Sequence, residues 1–390
     1  MTISVKAIST RVPESSIKLK DFYEYLRPYF DEAEDEAFLA RLIPKTGIET
    51  KHWTVDVPNF FFTDGGQPKY VGHTERQALW REQTRQVCAS IGKELLSKAQ
   101  VSPRDVGLVS FNSTTGYSNP DMPALVAAEL DLPHSTRRTQ ILGMGCYGGI
   151  PNLVRCVESL ESGRCREYAM QLTSELCSFT FQPKVKDPEY KVAMALFSDG
   201  SAGMLLGKDG GLAEIQDFDT YTDYQTFGEM SFEFADEGQN FVLSKNVPKY
   251  IGMRVSEPVN RILARNNLEI RDVDWLIHPG GLAIVRAVCE ALKLDIDRAI
   301  PETLEVNRSN GNMSSASIFF CLKEYLEAHK NPKEHAMMLG FGPGLTIEAV
   351  LLKIPDPSAD PGPIQNADPG SAHDDEEKKM WEDWLEKHIA

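Results

Sequence analysis

The chain has 390 residues, 42% hydrophobic and 25% charged, enough for a large core and for two domains or one duplicated fold. Its net charge of −16 speaks against nucleic acid as a partner, and no apolar run is long enough to cross a bilayer. Ten acidic residues against three lysines in 355–390 put −7 in the tail and leave −9 for the body, where a local basic patch can still hold an anionic ligand.

Seven cysteines, at positions 88, 146, 156, 165, 177, 289 and 321, are scattered and include no CxxC pair. That pattern predicts reduced thiols in a cytoplasm, with neither a disulfide frame nor a metal site. The opening Met1-Thr2-Ile3-Ser4-Val5-Lys6 lacks the basic-then-apolar layout of a signal peptide. A cytoplasmic protein without membrane insertion is expected.

In chain order, Ile3–Ile8 reads as a strand and Leu19–Leu26 as a helix. Glu34–Ile43 is a second helix, ended by Pro44-Lys45-Thr46-Gly47. Residues 54–72, rich in Gly and Pro, read as loop. Thr74 is expected to cap a long helix over 75–99. Val106–Phe111 is a buried strand running into a polar loop, residues 121–131 are helical, and Arg138–Leu142 is a short strand. Asn152–Leu160 is spaced as a buried helix and Glu167–Thr173 as a strand. Residues 191–207 read as a helical piece, the Asp199–Gly203 stretch, then the strand Met204–Leu206.

A second half begins near Gly211: helix Pro248–Asn267, strand Val273–His278, helices Ala283–Leu292 and Ser314–Ala328, and strands Ala336–Leu339 and Leu345–Ile354. Strands alternating with crossover helices predict an α/β fold. Three regions follow: residues 1–210, 211–354, and an acidic, Pro-rich flexible tail over 355–390. Within the tail, 374–388 can form a short helix with Met380, Trp381, Trp384 and Leu385 as its apolar stripe.

Four stretches carry chemistry. Leu142-Gly143-Met144-Gly145-Cys146-Tyr147-Gly148-Gly149 puts a cysteine in a glycine-rich turn between strand and helix. A helix N-terminus there would lower the thiol pKa and favour the thiolate; the plainer reading is a buried structural cysteine. Trp275-Leu276-Ile277-His278-Pro279-Gly280-Gly281 sets a histidine at a strand end. Asn312, in Gly311-Asn312-Met313-Ser314-Ser315-Ala316, stands at the start of a helix, where an N-cap is the default. Gly340-Phe341-Gly342-Pro343-Gly344-Leu345-Thr346-Ile347-Glu348 is a rigid turn between strands.

Together, Cys146, His278 and Asn312 in these local sequences resemble the thiolase-fold condensing enzymes. The Gly340–Glu348 turn resembles the signature of type III polyketide synthases, the chalcone-synthase family. The resemblance covers about residues 1–354. It implies two pseudo-duplicated βαβαβ halves in a five-layered αβαβα arrangement and a homodimer. It also implies decarboxylative Claisen condensation of malonyl-CoA onto an acyl-CoA starter, with no cofactor beyond the CoA thioesters. Cys146 would be nucleophile and leaving group. A His278 imidazolium would hold its thiolate, and His278 and Asn312 would donate to the enolate oxygen.

The resemblance also assigns Phe197 and Phe241 to a pair between CoA tunnel and cavity. Thr114, Thr115, Cys177, Thr180 and Ser314 fall on cavity-lining positions. Arg41 and Lys45 match two of three CoA-phosphate cations, the third position being Phe38. Gly280, Gly281 and Ala283 fall on the CoA side. Asn119 stands where plant members place a methionine that enters the partner's cavity, and that role is not carried over. Cys177 departs from the plant threonine, and Ser174–Gln182 looks like bacterial members that take fatty acyl starters, giving alkylpyrones or resorcinols. The alternatives are an aromatic- or malonyl-primed synthase, a ketoacyl synthase III-like enzyme that condenses once, and a non-catalytic partner subunit.

Overall fold

The computed structural model describes residues 2–26, 33–63, 67, 69–182, 188–235, 238–329 and 331–355. The expected tail, from 356 on, lies outside the described residues. The chain runs β1 (Ile3–Arg11), β2 (Ser16–Lys18), α1 (Leu19–Leu26), α2 (Ala33–Thr46), β3 (Thr50–His52), α3 (Val57–Phe61), α4 (His73–Ala99), β4 (Val106–Ser113), α5 (Met122–Glu129) and β5 (Arg137–Leu142). Next come α6 (Gly149–Glu161), β6 (Tyr168–Leu176), α7 (Pro188–Leu196), β7 (Asp199–Lys208), β8 (Ala213–Thr222), β9 (Met230–Ala235), β10 (Gly238–Leu243), α8 (Val247–Arg254) and α9 (Ser256–Asn266). The remainder is β11 (Val273–Ile277), α10 (Leu282–Leu292), α11 (Ile296–Ala299), α12 (Pro301–Asn310), α13 (Ser317–Ala328), β12 (His335–Gly342) and β13 (Thr346–Lys353).

Nine strands hydrogen-bond in the order β11-β12-β13-β8-β1-β7-β6-β4-β5. The pairs β4–β5, β4–β6 and β11–β12 are parallel. Every residue of β4 is buried, as parallel strands covered on both faces must be. The two halves of the sheet meet where β1 pairs with β8 over Ile3–Val5 only. Between them lie α6 and α13: Leu153, Val157, Phe319 and Leu322 pack with Ala169 and Met204 of one half and Leu276, Met338 and Val350 of the other. Outside the first half, Trp80, Ile91 and Leu125 of α4 and α5 pack on Val109, Phe111 and Leu172. Outside the second, Ile251, Ile262 and Val285 of α8, α9 and α10 pack on Trp275, Met337 and Leu351. The result is five layers, αβαβα, with five strands in the first half and four in the second.

Several elements differ from expectation for local reasons. The helix expected to stop at Pro44 continues through Thr46, and its end is set by the Thr46 hydroxyl, which donates to the Ile43 carbonyl and accepts from Ile48 N–H. Residues 54–72 contain the helix α3, which tolerates Pro58 in its first turn and buries Phe61. Gly72, not Thr74, precedes α4 as its N-cap. Asp199–Gly203 belongs to β7. Its glycines answer to packing, since a Cβ at Gly200 would lie 2.4 Å from Met313 Sδ and one at Gly203 2.7 Å from Ile91 Cγ2. Pro248–Asn267 splits at Val255 into α8 and α9.

Candidate active site

Cys146 lies in a short 3-10 turn, Gly145–Tyr147, between β5 and α6. Gly145 has φ +67°, and a Cβ there would meet Pro343 Cδ at 2.4 Å. A Cβ at Gly342 would lie 3.3 Å from Cys146 N. Glycines on both sides thus let the Gly340–Gly344 turn seat directly on the cysteine turn. Burial pushes the Cys146 thiol up to about 12, opposed by the Ser314 hydroxyl, which donates to Sγ at 3.5 Å. The expected helix-start stabilisation of a thiolate is therefore not what this state shows: the turn holds Cys146 ahead of the first residue of α6, in a cavity that penalises charge.

His278 follows β11, with its N–H bonded to the Leu339 carbonyl of β12. It is 1% exposed, neither ring nitrogen has a partner among the described residues, and burial lowers its pKa to about 3. Burial thus favours a neutral imidazole and a thiol in this state over the expected imidazolium–thiolate pair.

Asn312 is fixed by its backbone. Its N–H donates to Leu196 O at 3.0 Å, its carbonyl accepts from Ser198 N–H at 2.9 Å, and its Oδ1 accepts from Ser314 N–H at 2.8 Å. Because a backbone N–H only donates, the side-chain oxygen must face Ser314. The Asn312 NH2 group then has no protein partner among the described residues. Ser314 itself sits at φ +48°, a strained conformation for a residue with a Cβ, held beside the thiol.

Cys146, His278 and Asn312 line one cavity of about 800 Å³ of empty space, its mouth included. Thr114, Thr115, Cys177, Thr180, Phe197, Phe241, Gly280 and Ser314 share its wall. The Phe197 and Phe241 rings stand 5.7 Å apart. Phe197 is held at the end of α7, where Trp53 Nε1 donates to its carbonyl at 3.4 Å. A smaller recess lies beside Cys177, lined by Trp53, Phe181, Tyr190 and Met194. Four expected residues do not line the cavity. Arg41, Lys45 and Ala283 are exposed outside it, and Gly281 is the buried N-cap of α10.

Two features escaped the sequence reading. Glu175 is fully buried on β6 and accepts from Thr114 N–H at 3.0 Å, Ser113 Oγ at 3.3 Å, Ser314 Oγ at 3.4 Å and Ser315 Oγ. Burial raises its pKa, against those donors. A carboxylate amid a strand otherwise free of charge was the available signal. The β9–β10 hairpin contributes Met230, Phe232 and Gln239 to the cavity, and Gln239 Nε2 donates to Thr114 O at 2.9 Å. Its alternating Met230-Ser231-Phe232-Glu233-Phe234 was the available signal.

Residues 14–216 match the family described as FAE1/Type III polyketide synthase-like protein, and residues 220–355 match Chalcone and stilbene synthases, C-terminal domain. A 1,3,6,8-tetrahydroxynaphthalene synthase of Streptomyces peucetius is 28% identical over 364 residues, 90% of this chain and 93% of its own. The Mycobacterium tuberculosis alpha-pyrone synthesis polyketide synthase-like Pks18 is 25% identical over 369 residues, 90% and 91%. The crystal structure of a tetrahydroxynaphthalene synthase of Streptomyces coelicolor superimposes with TM-score 0.83 at 22% identity, over 91% of this chain and 99% of that one. With family matches over both halves, a nine-stranded thiolase-type core and one cavity holding cysteine, histidine and asparagine, the chain belongs to the type III polyketide synthases, acyltransferases of the chalcone- and stilbene-synthase family.

Proposed function

We propose that this enzyme loads a fatty acyl group from acyl-CoA onto Cys146, extends it two or three times with malonyl-CoA, and closes the chain to an alkylpyrone or alkylresorcinol. The observation that carries the mechanism is the convergence of Cys146, His278 and Asn312 on one cavity. In loading, neutral His278 accepts the thiol proton as sulfur attacks the thioester carbonyl, and CoA leaves as thiolate to take that proton. In extension, malonyl-CoA loses CO2. The electron pair of the broken C–C bond becomes an enolate whose oxygen accepts hydrogen bonds from Asn312 NH2 and from the ring N–H of neutral His278. The enolate carbon then attacks the acyl-Cys146 carbonyl, and the thiolate leaves. His278 thus has an unpartnered nitrogen for either role. These steps ask for no group beyond the CoA thioesters.

The fatty starter is supported by the apolar recess beside Cys177, where each buried methylene is worth about 0.8 kcal/mol. The Pks18 relative is named for alpha-pyrone synthesis. The relative named as a tetrahydroxynaphthalene synthase favours a second reading, closure to an aromatic product, for which a malonyl starter is the alternative to a fatty one. A panel of acetyl-, malonyl-, benzoyl- and C6–C16 acyl-CoA with malonyl-CoA separates them: kcat/KM rising with chain length supports the first, and no preference for acyl chains overturns it. We also propose a homodimer through β5. It is the edge strand of the sheet, its Leu142 is 49% exposed, and Gly143 beyond it has open space at its Cβ position.

A further inference from the structure

A second concavity lies at the opposite ends of β11 and α10 from the catalytic one. His278 follows the last residue of β11, and Ile284 in the first turn of α10 lines the catalytic cavity. The first residues of β11, Val273–Trp275, and the last of α10, with Leu294 just past it, line a broad groove. The end of α9, the turn through Leu268 and Ile270, α11 and Lys333 complete its wall. β11 is the edge strand of the sheet on this side. Leu268, Ile270, Leu294 and Ala299 pack on the core of the second half, yet each is only half-buried. Trp275 is 2% exposed, and its buried indole N–H has no partner among the described residues. A buried donor without an acceptor is uncommon, and a segment lying on the groove can bring one.

Residues past 355 depart from beside this groove. Ile354 N–H donates to Glu334 O at 2.8 Å, and Lys353 pairs with the Glu334 carboxylate at 3.3 Å, next in the chain to Lys333 of the groove wall. Met380 lies 25 residues beyond Pro355. A linker of that length has a root-mean-square span of about 25–30 Å, which holds the 374–388 segment at high local concentration around the groove. The segment offers an apolar stripe, Met380, Trp381, Trp384 and Leu385, flanked by Glu382, Asp383 and Glu386. Charge favours the same match. The groove sets Arg271, Lys293, Arg298 and Lys333 against Glu269, Asp274 and Asp295, one positive charge net in a body of −9, and 355–390 carries −7. Arg271 is 79% exposed and Arg298 88%, so their surface pairs with Glu269 and Asp295 hold them weakly and leave both open to a further carboxylate.

We propose that this groove is the docking site of residues 380–385 of the same chain. Met380, Trp381, Trp384 and Leu385 lie on Leu268, Ile270, Leu294 and Ala299, with the acidic flanks toward Arg271 and Arg298. The docked segment covers the start of the edge strand β11, which protects that edge from pairing with other chains. It sits away from Cys146, so condensation does not depend on it.

The test uses the full-length protein and a carbodiimide, which joins a lysine to a carboxylate already in contact with it. The expected product has the mass of one chain and links Lys293 or Lys333 to an acidic residue within 374–386. Hydrogen exchange of the Trp381→Ala/Trp384→Ala double variant is expected to be about tenfold faster than wild type over 268–273 and 292–299 and unchanged elsewhere, with kcat/KM within twofold. Leu294→Glu, on the groove side, is expected to abolish the cross-link while keeping activity. The same cross-link found only in a product of two chains would place a second copy in the groove and overturn docking in the same chain. Absence of the cross-link, with exchange unchanged in the double variant, overturns the proposal. A cross-link that survives both the double variant and Leu294→Glu overturns it too, because contact would then owe nothing to the apolar stripe.

Discussion

At the scale of single residues, the site stores its reactivity as unpaired donors and a protonated thiol. Cys146→Ala is expected to abolish both acyl transfer and condensation, read as loss of the acyl adduct by intact-protein mass spectrometry. Cys177 shares the cavity, but burial, with Asp199 and Glu175 nearby, holds its thiol well above the ordinary cysteine range, and it is not expected to substitute. Asn312→Ala is expected to slow malonyl-CoA decarboxylation by about 10²–10³, the usual cost of one oxyanion donor. An effect under threefold would remove Asn312 from that role.

His278 makes a prediction about pH. Its folded pKa, about 3, lies below that of a free imidazole, about 6.5. Between those values the unfolded chain binds a proton that the native protein refuses. The stability tied to neutral His278 is therefore complete above about pH 6.5 and is lost as pH falls toward 3. Replacing it by Asn should flatten the fall in denaturant midpoint between pH 7 and 4.5. Equal slopes for the two proteins would show that His278 is charged in the fold.

At the scale of elements, the cysteine turn and the Gly340–Gly344 turn are one unit. Gly145→Ala meets both a left-handed φ and Pro343, and is expected to cost about 1–3 kcal/mol and to displace Cys146. Thermal melting with acyl-adduct yield checks this; wild-type values for both would show that the contact yields freely. The same pair of turns shows how far the sequence could be read. The cysteine, histidine and asparagine stretches were legible because each combines a reactive side chain with small neighbours at an element boundary. Asp199–Gly203 misled because glycine reads alike as turn or as close packing, and only Met313 and Ile91 in the folded protein decide. The protonation state was not legible either, because burial of Cys146 and His278 comes from elements hundreds of residues apart in the chain.

At the scale of the whole molecule, five layers place the site where α6, α10 and α13 begin beside strand ends, with the β9–β10 hairpin across it. The acidic, Pro-rich composition of 356–390 fits an appendage to that arrangement. A protein ending at Pro355 is expected to keep kcat/KM within twofold and to elute as a dimer; loss of either would assign the tail a structural part. The recess beside Cys177 gives a companion prediction. Cys177→Phe takes up part of its space and should move the preferred starter to shorter acyl chains, read from the kcat/KM series. An unchanged optimum would place the acyl chain elsewhere.

Cys146 is expected to carry a growing polyketide built from CoA thioesters. Mass spectrometry of the protein mixed with dodecanoyl-CoA and malonyl-CoA, without any carrier protein, tests it most directly. An acyl adduct on the peptide containing Cys146, with triketide or longer products in solution, is the expected result. An adduct on another residue, or products that stop at a single condensation, would contradict it.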